Sequence, residues 1–131
     1  MIGWVGDIER DTEENATFRT VKFTGVHEQL TVMSIPQGGE IGKEVHADTD
    51  QFLRVEQGRG RVEFGRTEDA VDETHDVGDG WAIVVPQGVW HNVVNTGDGD
   101  LKLYSIYAPP HHPDGTVHAT KADAMAAEAD A

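Results

Sequence analysis

Histidine and carboxylate side chains carry most of the chemistry open to this chain, because its 131 residues include seven histidines and no cysteine. Disulfides, thiolate metal sites and cysteine nucleophiles are therefore excluded. The pattern with the clearest chemical meaning runs from Gly80 to Asn95 and contains one histidine, His91. An imidazole in such a position can bind a divalent metal or exchange a proton near neutral pH.

The spacing of this segment is G-x5-P-x-G-x2-H-x3-N, and each fixed residue has a structural role. Gly80 opens a strand after a tight turn, and Pro86 with Gly88 ends that strand and turns the chain back. His91 begins the next strand, where its ring can point inwards. Asn95 can hydrogen-bond to the backbone of the following turn.

The segment matches the second motif of the cupin superfamily at every fixed position. The first cupin motif, G-x5-H-x-H-x3,4-E-x6-G, fits residues 38–58 in its spacing. Glu44 stands at the first histidine position, Gln51 stands at the acid position, and His46 matches the family. The chain thus resembles a small single-domain cupin over residues 29–107, of the type loosely called mannose-6-phosphate-isomerase-like. The resemblance implies an all-β, jelly-roll-like barrel, the double-stranded β-helix.

The resemblance also implies a divalent metal bound by Glu44, His46, Gln51 and His91. Glu44 and His46 lie two residues apart, so on a strand both would face the same side of the sheet. Two imidazoles, one carboxylate and one amide oxygen suit Fe, Mn, Ni or Zn. The alternative is a metal-free polar cluster. A buried, uncompensated Glu44 is costly, which favours a cation or a bound partner.

Two classes of function fit such a site. One is a metalloenzyme for a small polar substrate, such as a sugar or sugar acid, with isomerase-type or oxygenase-type chemistry. The other is a non-catalytic cupin that binds or senses a small ligand, with or without a metal. Alternate residues of a strand face opposite sides of the sheet, and no arginine or lysine falls clearly on a position that would face inwards. Because phosphate recognition usually uses one, a phosphomannose isomerase is disfavoured.

Residues outside the four implied ligands are candidates for proton transfer. Tyr104 and Tyr107 lie on the last long predicted strand, and His112 lies in the segment PPHHPDGTVH that follows it. This segment, which also contains His111 and His118, could fold over the barrel mouth and supply an acid or base. A solvated loop is the favoured interpretation.

Two pairs of residues flank the motifs. Asp48 and Asp50 are interpreted either as groups that orient the ligands or as turn acids. Trp81 and Trp90 could line a pocket mouth, but core or interface packing is favoured.

The elements that must position these residues are predicted to be short strands separated by Gly, Pro and Asp turns, which is typical of an all-β barrel or sandwich. Residues 1–131 form one predicted domain, with a barrel core at about 18–108, an N-terminal arm at 1–16 and a C-terminal loop and helix at 109–131. Thr120 is the expected cap of that helix. The predicted strands are Val21 to Thr24, Leu30 to Ile35, Glu44 to His46, Phe52 to Val55, Val62 to Phe64, Ala82 to Val85 and Leu101 to Tyr107.

The composition is strongly acidic, with 24 Asp and Glu against 10 Lys and Arg, a net charge of −14 and a pI near 4.6. A field this negative repels phosphate backbones and anionic lipids, so neither nucleic-acid nor membrane partners are expected. No apolar run reaches the roughly 18 residues of a spanning helix, and the N-terminus lacks the features of a signal peptide. We therefore expect a cytoplasmic protein.

Two further expectations concern the solvent and the assembly. The acid excess resembles that of proteins adapted to high salt, where self-repulsion is screened, and an ordinary acidic bacterial protein is the alternative. Cupins commonly dimerise through sheet edges, so the resemblance implies a homodimer. Residues 1–16 either wander or add an edge strand to the partner.

Overall fold

Two antiparallel sheets make up most of the structure, a computed structural model that describes residues 2–129. A six-stranded sheet has the order β6-β3-β8-β2-β1-β9, and a three-stranded sheet has the order β5-β4-β7. The sheets share no strand, so the predicted all-β barrel is a pair of facing sheets that are not closed. The elements in chain order are α1 (Ile8–Glu14), β1 (Arg19–Thr24), β2 (Gln29–Ile35), β3 (Asp50–Gln57), β4 (Arg59–Gly65), β5 (Glu73–Gly78), β6 (Ala82–Val85), β7 (Trp90–Asn95), β8 (Leu101–Ala108), β9 (Val117–His118) and α2 (Lys121–Ala129).

The hydrophobic core lies between the sheets, because alternate residues of each strand point inwards. Leu101 and Leu103 of β8 join Val62 of β4 and Val93 of β7 in one buried cluster. Burial alternates along the whole of β8 up to Tyr107. This is the alternation that the sequence of residues 101–107 predicts.

Most predicted strands are confirmed, but one is wrong, and two strands, β5 and the two-residue β9, were not predicted. A strand at Glu44–His46 is wrong, because this segment contributes only an isolated bridge between Glu44 and His91. β5 (Glu73–Gly78) was missed. Its residues are polar and mostly exposed, with Val77 the buried one, so they offer no apolar alternation to detect.

Turn residues of the two motifs fix the ends of the strands. Gly58 has a φ of +94°, and a Cβ there would lie 2.8 Å from the carbonyl oxygen of Asp100, so the turn requires glycine. Asn95 ends β7, and its Nδ2 donates to the carbonyls of Ile35 (2.9 Å) and Gly99 (2.8 Å). The predicted backbone-bonding role of Asn95 is confirmed.

The N-terminal segment forms a helix that packs on the six-stranded sheet. Asp7 caps α1 by accepting a hydrogen bond from the Arg10 N–H (3.2 Å). The Lys102 ammonium of β8 donates to the carbonyls of Glu13 (2.7 Å) and Asn15 (2.9 Å), which stabilises the helix C-terminus. The sequence analysis missed α1 because its residues are almost all polar. A wandering arm or an edge strand is wrong for this segment.

The predicted C-terminal helix is confirmed as α2. The Asp123 N–H donates to the Thr120 hydroxyl (3.1 Å), which is the expected cap, and Ala124 is buried against the core. Neither helix in residues 2–129 combines the length and the apolar character that crossing a bilayer requires.

One acidic side chain is buried beside α1. Glu56 of β3 is 6% exposed, and its carboxylate forms a 2.7 Å ion pair with Arg54. Burial raises the pKa of Glu56, against the opposing charge of Arg54. Negative charges at Glu9, Asp79 and Glu13 raise this pKa further. The ionised carboxylate therefore lowers the free energy of unfolding at neutral pH.

Replacing Glu56 with glutamine (Glu56→Gln) should raise the free energy of unfolding, measured with urea near neutral pH, by up to about 1 kcal/mol. Because the folded pKa lies above the unfolded value, the cost of ionisation appears only as the pH rises through the folded pKa. The gain should therefore vanish near about pH 4. Molar KCl should reduce it, since salt screens the like charges.

Glu63→Gln is the matched control for this variant. It breaks the equivalent pair with Arg61 on β4, where the two atoms lie 3.5 Å apart and the Glu63 side chain is more exposed. We expect a change below about 0.5 kcal/mol for this control. A Glu56→Gln protein less stable than the wild type in dilute neutral buffer would contradict our interpretation of Glu56.

Candidate metal centre

Reciprocal backbone hydrogen bonds bring the first-motif residues alongside β7. The Glu44 N–H donates to the His91 carbonyl (3.0 Å), and the His91 N–H donates to the Glu44 carbonyl (2.9 Å). The Gly88 N–H donates to the His46 carbonyl (2.7 Å). Gln51 is buried on β3 of the other sheet. The four predicted ligands therefore come from both sheets and from the segment before β3.

The carboxylate of Glu44 lies between two imidazoles. Its Oε1 is 3.6 Å from Nε2 of His46 and 3.6 Å from Nε2 of His91. These distances are too long for hydrogen bonds. They are close to the roughly 3.0–3.4 Å that separates two ligand atoms bound to one ion. The ligand atoms of the three residues lie within 4.8 Å of one another, so this cluster could hold a metal ion.

Neighbouring groups orient two of the predicted ligands. His91 Nδ1 donates to the Val89 carbonyl oxygen (3.0 Å), which turns Nε2 towards Glu44. Gln51 Nε2 donates to the Ser105 hydroxyl (2.8 Å), which leaves Oε1 as an acceptor. Within residues 2–129, both ring nitrogens of His46, Oε1 of Gln51 and Nε2 of His91 are buried without a hydrogen-bond partner.

The imidazoles also set the charge of Glu44. Burial raises the pKa of Glu44, but the nearby His46 and His91 outweigh burial and hold this pKa well below its ordinary value. Glu44 is therefore a carboxylate at neutral pH. An ionised carboxylate is the form in which a divalent cation binds such a ligand.

Comparison with known families agrees with the two motifs. The model of the cupin domain matches residues 31–107 of the chain. The chain belongs to the cupin family. The matched span is close to residues 29–107, over which the motifs indicated the resemblance.

Individual proteins are similar to this cupin over most of its length. The uncharacterized protein YrkC of Bacillus subtilis (strain 168) is 58% identical over 125 residues, which are 95% of this chain and 67% of YrkC. The crystal structure of BH2720 from Bacillus halodurans has 55% identity and a TM-score of 0.93, and the match covers 94% of this chain and 93% of that one. KdgF from Halomonas sp., at 20% identity and a TM-score of 0.63 over 71% of this chain and 80% of KdgF, is similar in fold alone.

The loop after β8 folds against the ligand cluster of this cupin. The centroid of the His111 ring is 4.3 Å from that of His46 and 5.5 Å from that of Tyr107. Burial and the His46 charge lower the pKa of His111, against the opposing charge of Glu44. His111 nevertheless remains an exposed residue, and most of the loop is exposed, so the favoured interpretation of a solvated loop holds for most of this segment.

A buried glutamine holds this loop in place. Oε1 of Gln29 accepts hydrogen bonds from the N–H groups of His111 (3.1 Å) and His112 (2.9 Å). Its Nε2 donates to the His112 carbonyl (2.7 Å). Gln29 is completely buried, so these bonds replace the water that its amide loses. The sequence analysis missed Gln29 because its partners lie more than 80 residues away along the chain.

The candidates for proton transfer fall in different places. Tyr107 is buried with its ring centroid 5.6 Å from that of His46, and burial raises the pKa of Tyr107 to about 12. His112 packs against Tyr107 (5.0 Å), and burial lowers the pKa of His112 to about 3. Tyr104 lies on the other face of β8, 6.3 Å from the Phe52 ring. Tyr107 and His112, unlike Tyr104, therefore adjoin the predicted ligands.

Residues that flank the motifs have mainly structural contacts. The Asp50 carboxylate accepts a hydrogen bond from the Gln87 N–H (2.8 Å), as a turn acid does. Asp48 accepts one from the Thr49 hydroxyl (3.4 Å). Trp81 is 55% exposed and so is not a core residue.

The expectation that no arginine or lysine side chain points inwards is wrong. Arg19 of β1 is 2% exposed and faces inwards together with Val21. The predicted strand begins at Val21, two residues after the start of β1, so Arg19 was not considered among the strand residues that face inwards. The argument against anionic ligands therefore loses its basis.

Replacing Gln29 with leucine (Gln29→Leu) removes four hydrogen bonds, three of them to the loop, and leaves the loop's backbone groups without these partners. We expect the free energy of unfolding to fall by about 1–3 kcal/mol. The amide protons of His111 and His112 should exchange faster, as measured by NMR. Gln37→Leu, at an exposed turn residue, is the control and should change neither quantity. Unchanged protection of these two amides in Gln29→Leu would contradict the role given to Gln29.

Proposed function

We propose that this cupin binds a divalent metal ion through Glu44, His46, Gln51 and His91 and acts on a small polar substrate. The observation that carries the proposal is the set of buried acceptor atoms without partners around the ionised Glu44. Unsatisfied buried acceptors are costly, and one cation would satisfy several of them at once.

The donor set limits the choice of metal. Two imidazoles, one carboxylate and one amide oxygen suit Fe(II), Mn, Ni or Zn, and the formal charge with a divalent ion is about +1. Such an ion supplies Lewis acidity and a template for substrate oxygens when it is bound. Sugar or sugar-acid isomerisation is one reaction that fits this chemistry. Oxygenation is the other, and bound iron would favour it.

Other residues of the chain would position the ligands and the substrate. The Val89 carbonyl and the Ser105 hydroxyl fix the orientations of the His91 ring and the Gln51 amide, which leaves Nε2 of His91 and Oε1 of Gln51 for a metal. The His111 ring adjoins His46 and keeps an exposed edge, so it can exchange a proton with a substrate at the mouth. The buried Tyr107 ring excludes water from the inner side.

The proposal also includes the oligomeric state of the protein, its location and the salt content of its solvent. The family resemblance supports a homodimer, and the sequence features support a cytoplasmic location. The net charge of −14 supports a salt-rich solvent, because screening would reduce the self-repulsion of such a chain.

Protein purified without chelator or metal-affinity tag should contain about one equivalent of a divalent metal, measured by inductively coupled plasma mass spectrometry. Glu44→Ala and His91→Ala each remove a ligand and should lose most of this metal. His75→Ala is the matched control and should retain it, because His75 is an exposed histidine paired with Glu73 (3.3 Å).

The contradicting result is a wild-type protein that holds no metal and gains no thermal stability from added Fe(II), Mn, Ni or Zn. Turnover assays on small molecules that raise the melting temperature separate the two classes of function. A ligand that the metal-loaded protein binds and leaves unchanged would favour the non-catalytic cupin.

A further inference from the structure

A cavity of about 250 Å³ opens beside the ligand cluster, between the start of β1, the segment before β3 and α2. Both Glu44 and Arg19 form part of its wall. Phe18, Ile41 and Met125 supply apolar surface. The volume corresponds to roughly eight water molecules at about 30 Å³ each, which suits a small organic molecule.

Three wall residues of this cavity are basic, and two, Glu44 and Glu128, are acidic. Lys43 and Lys121 join Arg19 in its wall, although the whole chain has only 10 Lys and Arg. The Lys43 ammonium donates to the Ala70 carbonyl (3.2 Å), and that of Lys121 lies 3.9 Å from the Glu40 carboxylate. The two lysines therefore have protein partners.

Arg19 differs from the lysines. Its Nε and Nη1 atoms are buried without a hydrogen-bond partner in the part of the chain that the structure describes. No ion pair within 4.0 Å in residues 2–129 includes Arg19. Its Cζ lies 5.3 Å from the centre of the Phe18 ring. A guanidinium cannot lose its proton in a protein, so an unpaired one in the interior carries a cost that an anion would remove.

We propose that Arg19 is the anion-binding residue of this site and that the ligand is a small carboxylic acid in its ionised form. The carboxylate accepts charge-assisted hydrogen bonds from Arg19. A second oxygen of the same molecule, a hydroxyl or a carbonyl, reaches the part of the cavity that Glu44 lines. The inference rests on the proposed function, because it names the substrate class of the same site.

The count of free charges favours a carboxylate over a phosphate. A phosphate group carries close to two negative charges at neutral pH, and its recognition usually involves several donors. Arg19 is the buried cation of the wall, with Nε and Nη1 lacking a hydrogen-bond partner in the described residues, whereas Lys43 and Lys121 are engaged. Because the wall also contains Glu44 and Glu128, it suits a singly charged carboxylate better than a doubly charged phosphate.

The test compares small acids with their uncharged amides: glycolate with glycolamide, lactate with lactamide, and D-gluconate with D-gluconamide. Dissociation constants are measured by isothermal titration calorimetry on metal-loaded and on chelator-treated protein. At least one acid should bind the wild type about tenfold or more tightly than its amide. Arg19→Gln should abolish this preference, and Arg19→Lys should restore part of it. Arg61→Gln, on β4 and outside the cavity wall, is the control and should keep it.

Equal binding of every acid and its amide by the wild type would overturn the proposal, and this comparison does not depend on whether any variant folds. A preference that persists in Arg19→Gln would also overturn it. Tighter binding of inorganic phosphate than of any acid would overturn the choice of a carboxylate. If the protein holds metal but shows no acid preference, the Arg19 inference fails and the metal centre stands. An Arg19-dependent preference in protein that never binds metal would support Arg19 and contradict the metal centre.

Discussion

Glu44 brings an ionised carboxylate into the space between two sheets, where few groups can compensate its charge. The contacts around it answer that requirement: His46 and His91 flank its Oε1 at equal distances, and reciprocal backbone hydrogen bonds fix Glu44 beside β7. Nδ1 of His91 donates to the Val89 carbonyl, so Nε2 faces the carboxylate. A cluster built in this way has acceptors in excess of donors, and a cation is the simplest group that balances it.

Arg19 places the opposite charge in the same interior. It forms no ion pair with Glu44 within the described residues, although both line one cavity. The buried Arg19 and the partly buried Glu44 can each be compensated by a different part of one bound molecule, with oxygen atoms towards Glu44 and its metal and an anionic group at Arg19. The loop held by Gln29 brings His111 against His46, so the same interior also has a proton-exchanging group at its edge.

Features encoded by neighbouring residues could be predicted from the sequence, whereas features that depend on distant partners could not. The alternation of β8 and the turn chemistry of Asn95 are local, and both are confirmed. The clustering of Glu44 with His46 and His91 followed from motif spacing. Gln29 has its role only because the chain returns to it after β8, and α1 and β5 lack apolar periodicity. Arg19 was missed because the first predicted strand began two residues too late, a small error that reversed the conclusion about anionic ligands.

The most direct test of the central claim is metal-specific anomalous diffraction from a crystal of the full chain grown with Mn, Fe, Ni or Zn. The account predicts one strong peak about 2.0–2.3 Å from Nε2 of His91, a ring nitrogen of His46, the Glu44 carboxylate and Oε1 of Gln51. The absence of a peak among these atoms, or a peak at the His111 and His112 rings instead, would contradict it.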